Sequence, residues 1–254
     1  MIRLEGVHKA FGANRVLRGL DLEVKEGETL TIIGGSGTGK SVTLKIMVGL
    51  LKPDQGRVFV DNEEITGLED EALARVQRKF GFLFQGGALF DSMTVAENVL
   101  FGVRNLKPEE MVRGDEIVTK CLGLVGLKRE VAALKPAELS GGMKKRVGLA
   151  RAIAHEPDYI MYDEPTTGLD PIMSDVINDL IVSIREKLKI TSIAVTHDMK
   201  SAYKISNRIA MIHEGRLVES GTPLEIQRSE NPVIRQFITG SSQGPIQMPV
   251  RSYT

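Results

Sequence analysis

Two kinds of apolar pattern alternate along the chain. Thr29–Ile33, Phe80–Phe84, Tyr159–Tyr162 and Ser192–Thr196 are short, nearly unbroken apolar blocks, the pattern of strands buried on both faces of a parallel sheet. Residues 2–7 and 16–24 alternate instead, with Leu20, Leu22 and Val24 set against Asp21 and Glu23, which predicts strands with one wet face. Further strands are expected at Arg57–Asp61, behind the turn Pro53-Asp54-Gln55-Gly56, and in a hairpin Arg208–His213/Arg216–Ser220 around Glu214-Gly215. Helical spacing follows at Leu44, Met47, Val48 and Leu51, and over residues 69–79, 171–187, 198–205 and 223–239. Asp170-Pro171 supplies the N-cap and first residue of the 171–187 helix. From 94 to 155 the signal is helical throughout, near 94–103, 108–123 and 141–154, with breaks at Pro108, Gly126 and Pro136. The pattern therefore predicts an α/β core (1–93 and 156–239) interrupted by a helical subdomain (94–155). The tail 240–254 shows no periodicity and is expected to be disordered or held by a partner; Ile246, Met248, Val250 and Tyr253 favour a partner ATPase subunit as the thing it wraps.

Composition narrows this little. The 254 residues suffice for a sizeable core, and Lys+Arg and Asp+Glu both number 33, so no global basic field calls for nucleic acid. The single Cys121 excludes an internal disulfide and reads as helix packing. Met1-Ile2-Arg3-Leu4-Glu5 lacks the apolar region of a secretory signal, and no apolar run approaches the ~18–20 residues of a membrane span. The chain is expected in the cytosol, with any membrane span supplied by another polypeptide.

The chemistry lies at the ends of the buried blocks. Gly34-Gly35-Ser36-Gly37-Thr38-Gly39-Lys40-Ser41 follows one apolar strand and opens a helix. In that setting successive N–H groups form a nest for a phosphate chain at the positive end of the helix dipole. Lys40 would reach the β- and γ-phosphates, and the Ser41 hydroxyl would ligate Mg²⁺. This predicts a P-loop NTPase. Tyr159–Tyr162 ends in Asp163-Glu164: Asp163 suits Mg²⁺ as a hard oxygen ligand, and Glu164 can polarise a water for in-line attack. His197, behind its own buried strand, is placed to sense the γ-phosphate, and Gln85 to join the Mg²⁺ and water shell. Ser140-Gly141-Gly142 fits two readings by spacing alone, a plain N-cap before Lys144-Lys145-Arg146 or an anion site.

Together these stretches resemble the ATP-binding cassette (ABC) ATPases over essentially residues 1–235. Gly34–Ser41 resembles Walker A, Gln85 the Q-loop, and Leu139–Met143 the signature usually written LSGGQ. Tyr159–Glu164 resembles Walker B, Gly168-Leu169-Asp170 the D-loop, and His197 the switch histidine. The resemblance implies a P-loop NTPase (RecA-like) core with a mainly parallel sheet, an antiparallel β subdomain and the helical insert. It also implies Phe11 stacked on adenine, with Val16 against the base. A head-to-tail homodimer is implied, sandwiching ATP between one copy's Walker A and the other's Ser140, Gly141 and Gly142, with Asp170 in the D-loop beside them. Two residues depart from the pattern. Met143 replaces the usual Gln, and Val42 lacks the hydroxyl often found there, a hydrogen bond worth ~1 kcal/mol net, so weaker nucleotide affinity is expected.

Within the family, residues 85–95, 136–146 and 162–171 look most like the ATPases of Mla-type phospholipid transporters, for which Met143 is a distinguishing mark. That resemblance implies an integral membrane permease, a lipid-binding MCE-type substrate protein, a small regulatory subunit, and a peripheral position on the cytoplasmic face of the inner membrane. Leu89, Phe90 and Met93 are the expected permease contacts. The alternatives are an ABC ATPase for another solute, such as an amino acid or drug, and a soluble ABC ATPase of translation or DNA repair.

Overall fold

The computed structural model describes residues 1–103 and 111–247. Its strands divide into two sheets. Alternating residues build the first: β1 (Ile2–Phe11), β2 (Asn14–Val24), β4 (Gln55–Val60) and β5 (Glu63–Glu64) pair antiparallel in the order β2-β1-β4-β5. Buried blocks build the second: β3 (Thr29–Ile33), β6 (Phe80–Leu83), β7 (Tyr159–Asp163), β8 (Thr191–Val195) and β9 (Arg208–His213). These run parallel, with β10 (Arg216–Gly221) antiparallel on the edge, in the order β10-β9-β3-β8-β7-β6.

Every residue of β3 and β8 is buried. One face of the parallel sheet, including Leu30, Ile32, Met161 and Val195, joins the antiparallel sheet and α1 (Lys40–Met47) in a single core. Its opposite face, with Leu83, Ile160, Tyr162 and Ala194, packs under α3 (Val95–Leu100), α4 (Met111–Leu124), α5 (Gly141–Ile153) and α6 (Pro171–Leu188). A third cluster joins Ile33, Ile209 and Met211 to α7 (Met199–Ile205), α8 (Pro223–Arg228) and α9 (Pro232–Thr239). The short α2 (Asp70–Gln77) precedes β6. Cys121 is buried as a packing residue, with its thiol pushed up to about 11 by desolvation.

The structure corrects three expectations. The helical run 223–239 is two helices, because Pro232 lacks an N–H and drives the preceding residue out of helical geometry; Asn231 instead caps α9 through a bond from the Val233 N–H. The pair β5 escaped notice because Glu63-Glu64 carries no apolar signal. Residues 241–247 of the tail are not loose. Gln236 donates to the carbonyls of Ser241 and Ile246 and accepts from the Ile246 N–H, so this segment folds back on α9 without any periodicity. Met248, Val250 and Tyr253 lie outside the described residues, as do Pro108 and the start of the helix expected from 108.

The second core seats α5 directly on β6. A Cβ at Gly81 would stand 2.1 Å from the Ala152 carbonyl oxygen, so only glycine permits this approach. Gly81→Ala is expected to destabilise the fold by about 1–3 kcal/mol, read as a lower denaturant midpoint; an unchanged midpoint would mean that α5 yields freely at this contact.

Candidate active site

Each reactive side chain follows a parallel strand at its carboxyl end. Register puts Ile32 of β3 beside Val195 of β8, Val195 beside Asp163 of β7, and Leu83 of β6 beside Tyr162. The loop after β3, Asp163-Glu164, Thr196-His197 and the Phe84–Gln85 exit of β6 therefore converge on one edge.

The loop after β3 is built from glycines for steric reasons. At Gly34 (φ 150°) a Cβ would come within 2.3 Å of the Ile212 carbonyl oxygen. Gly39 caps α1 at φ 102°, and a Cβ there would press on Val16 and Leu17, so Val16 lies beside the loop. No side chain caps α1, so its first N–H groups are left for a ligand. Lys40 donates to the carbonyls of Gly34 and Gly35, both at 2.8 Å, and Thr38 Oγ1 to Gly35 O at 2.9 Å. Ser36 and Gly37 are exposed at the tip. Burial holds the Lys40 ammonium below its ordinary pKa, opposed by Glu164 and Asp163.

Ser41 Oγ donates to Asp163 Oδ1 at 3.2 Å. Burial pushes the Asp163 carboxyl above the usual range; the Ser41 bond opposes this and the Glu164 charge adds to it. A hydroxyl and one carboxylate suit Mg²⁺, which keeps waters and takes its remaining ligands from phosphate.

Glu164 has a left-handed backbone (φ 51°) that its neighbours enforce. Its N–H donates to Val195 O at 2.9 Å. Its carboxylate accepts from Thr167 Oγ1 at 3.1 Å and Thr196 Oγ1 at 3.3 Å, and meets His197 Nδ1 at 2.9 Å. An imidazole that gives its Nδ1 proton to this carboxylate turns Nε2 outward.

The other expected residues lie in three places. Phe11 is 51% exposed at the end of β1, a free aromatic face with Lys9 Nζ 5.7 Å from the ring centre. Val42 packs against the first core, so its apolar side chain finds a use there. Ser140 caps α5 by accepting from the Met143 N–H at 3.3 Å, Gly141 is exposed, and Gly142 lies tight against Met173. Within one chain these three form the start of α5, with no hydrogen bond to the loop after β3 among the described residues. Asp170 caps α6, its Oδ1 accepting from the Ile172 and Met173 N–H groups at 3.0 Å, and so shapes its loop.

Sequence reasoning missed Lys145. It is 4% exposed and donates to the carbonyls of Gln85 and Glu164, the latter at 3.1 Å. A signal was available: Gly142, Lys145 and Leu149 share one helical face, and all three are buried.

Comparison with known proteins agrees with this geometry. The family model described as ABC transporter matches residues 17–167. The chain is 41% identical to the intermembrane phospholipid transport system ATP-binding protein MlaF of Haemophilus influenzae, over 100% of this chain and 96% of that protein. It is also 41% identical to protein TRIGALACTOSYLDIACYLGLYCEROL 3, chloroplastic, of Arabidopsis thaliana, over 97% and 75% of the two chains. A probable ribonucleotide transport protein, mkl, of Mycobacterium leprae (39%; 97% of this chain, 71% of that one) and a methionine import protein, MetN 1, of Bacillus cereus (37%; 99% and 73%) are similar too. The solved structure of a dimeric ATP-binding cassette in a post-hydrolysis state, bound to ADP and Pi, superposes with TM-score 0.78 at 34% identity, covering 88% of this chain and 99% of that one.

Lys40→Ala leaves the phosphate cradle without its cation. Loss of a charge-assisted bond of about 1.5–3 kcal/mol is expected, a drop in nucleotide affinity of at least roughly tenfold in a fluorescent-nucleotide titration. Wild-type affinity in that variant would remove Lys40 from the site.

Proposed function

Since this chain belongs to the ABC transporter ATPases and hydrolyses ATP with Mg²⁺ to drive transport, we propose that the solute its complex moves is phospholipid. In this reading the ATPase energises an Mla-type transporter between inner and outer membrane. It sits on the cytoplasmic face of the inner membrane with a permease, an MCE-type lipid-binding protein and a small regulatory subunit. The observation that carries the reading is the match to MlaF along practically the whole of both chains, joined by a second relative at equal identity whose name is also that of a lipid. Among the described residues no helix is long and apolar enough to cross a membrane, so the span falls to the permease. The relatives named for ribonucleotide and methionine favour another solute as the second reading.

The site residues then divide the work. The Gly34–Ser41 nest and Lys40 bind the phosphates, with Phe11 and Val16 at the base. Ser41 and Asp163, joined by Gln85, would hold Mg²⁺, which when bound would supply positive charge beside the β- and γ-phosphate oxygens. Glu164, fixed by two threonines and His197, orients and deprotonates the water. Ser140, Gly141 and Gly142 close the site on the ATP of a second copy, so two chains are needed for turnover, with Asp170 shaping the loop between them.

The permease contact lies after Gln85. Phe90 and Phe101 are 41% and 54% exposed with ring centres 4.4 Å apart, and form the apolar patch there. Leu89 packs against the second core, and its part in the proposed contact passes to the exposed Phe101. The patch is held from beneath by Asn98, fully buried, which accepts from the Phe90 N–H and donates to the carbonyls of Phe90, Met93 and Thr94.

Two measurements test this. Native purification of the tagged complex should yield phospholipid by mass spectrometry and an ATPase stimulated by phospholipid vesicles; stimulation by methionine or a ribonucleotide with no bound lipid would install the second reading. Phe90→Asp together with Phe101→Asp should abolish co-purification of the permease and leave basal hydrolysis intact. A permease that still co-purifies would move the docking face elsewhere.

A further inference from the structure

Helix α5 carries two buried or half-buried cations that no nucleotide contact uses. Lys145 donates to the backbone carbonyls of Gln85 and Glu164. Arg151, six residues on, donates to Gly87 O at 2.7 Å and Ala88 O at 2.6 Å. A Cβ at Gly148, between them, would stand 3.2 Å from Gly87 O, so the loop after β6 lies directly on this helix face. Three carbonyls of residues 85–88 are thus held by side chains of the helix whose N-cap is Ser140.

We propose that Lys145 is a positioning residue for hydrolysis, its ammonium setting Gln85 and Glu164 together and tying both to the helix that carries the signature loop. The inference rests on the reading that Gln85 and Glu164 serve the attacking water and the metal.

The geometry supports it in three ways. Glu164 holds a left-handed backbone that a non-glycine residue keeps only when its surroundings insist. Its N–H is fixed by Val195 and its carboxylate by Thr167, Thr196 and His197, which leaves the carbonyl as the remaining handle. Lys145 takes that handle. Next, β6 and β7 are adjacent parallel strands, so Gln85 and Glu164 leave the sheet side by side, and a single ammonium with its three donors can reach both. Third, a buried cation needs a reason. The carboxylates of Asp163 and Glu164 offset the burial that disfavours its charge, and a shorter or neutral side chain would fill the volume at less cost. Its use is geometric: a displacement of about 1 Å in a catalytic group can cost roughly a hundredfold in rate.

The arrangement also sets what moves with what. Because Lys145 and Arg151 grip residues 85–88, a push on the Phe90–Phe101 patch is transmitted to α5, and through Lys145 to the Glu164 carbonyl.

Three variants decide the matter, with steady-state ATPase kinetics and thermal melts on the full chain. Lys145→Met keeps the length and apolar volume and removes the donors; kcat is expected to fall by at least roughly tenfold with KM within about twofold of wild type. Lys145→Arg restores donors and charge and should recover most of kcat, a rescue that a mere packing role would not show. A folded Met variant with wild-type kcat, or one whose loss lies in KM alone, overturns the proposal. If the Met variant does not fold, Lys145→Gln decides: its two amide hydrogens can still bridge two carbonyls, so kcat within roughly threefold of wild type supports the role and kcat below about a tenth refutes it. Glu164→Gln, run alongside, separates the two levels. Turnover at the wild-type rate in that variant would sink the site assignment itself, whereas an arrested Glu164→Gln beside an active Lys145→Met sinks only the part given to Lys145.

Discussion

The parallel register of β3, β8, β7 and β6 is the constraint on which everything else rests. Parallel strands end together, so a residue placed just past each strand arrives at the same edge whatever its distance along the chain. Ser41 and Asp163 are 122 residues apart in sequence and share a hydrogen bond because β3 and β7 flank β8 in register. The apolar blocks that specify those strands therefore specify the site as well. Burial on both faces demands uninterrupted apolar runs, and the runs end where polar chemistry is allowed to begin.

That edge is also where charge is concentrated in a dry place. Two lysines, Lys40 and Lys145, face two carboxylates, Asp163 and Glu164, and each lysine is drawn down by burial and up by the acids. Each lysine offsets the charge of both acids, which repel one another, and the groups come from different elements: the helix after β3, the end of β7, and the helix of the inserted segment. Lys40 is now engaged with carbonyls of its own loop, bonds that a phosphate oxygen can replace with a stronger, charge-assisted one. Lys145 is engaged with carbonyls that no ligand competes for. One cation is thus available to the nucleotide and the other is committed to the framework.

The same distinction explains what the sequence made legible. Gly34–Ser41, Asp163-Glu164 and His197 were readable because each is a local pattern, a strand followed at once by its functional residue. The division into a buried parallel sheet and strands with one wet face was readable from unbroken against alternating apolar runs, whereas the order of strands within each sheet depends on long-range pairing that no local run carries. Residues whose meaning depends on what packs against them were not readable. Lys145 sits in an ordinary basic run, and no local pattern marks the exposed Phe101 or Asn98, which is fully buried under the Phe90 loop. Likewise Gln236 gives the tail an ordered start through side-chain bonds to backbone, which leave no hydropathy signature. The single helix expected over 223–239 was a case of two amphipathic stretches in phase, separated by a proline whose local effect outweighs the shared period.

The signature loop has a different relation to the chain from that of the other motifs. Gly34–Ser41, Asp163, Glu164 and His197 complete one another within a single copy, whereas Ser140 and Gly142 are bonded to α5 and packed on Met173. The D-loop lies between: a Cβ at Gly141 would be in van der Waals range of Leu169, and Asp170 caps the helix that carries Met173. In the proposed dimer, each copy's signature loop is therefore backed by the same helix ends that follow its own Glu164. A nucleotide closing against the signature of one copy loads α5 of that copy, and α5 in turn holds the residues that follow β6 and β7. The two sites of the dimer would then be mechanically joined through α5 of each chain, and the patch at Phe90 and Phe101, the proposed permease contact, would lie on the same connection.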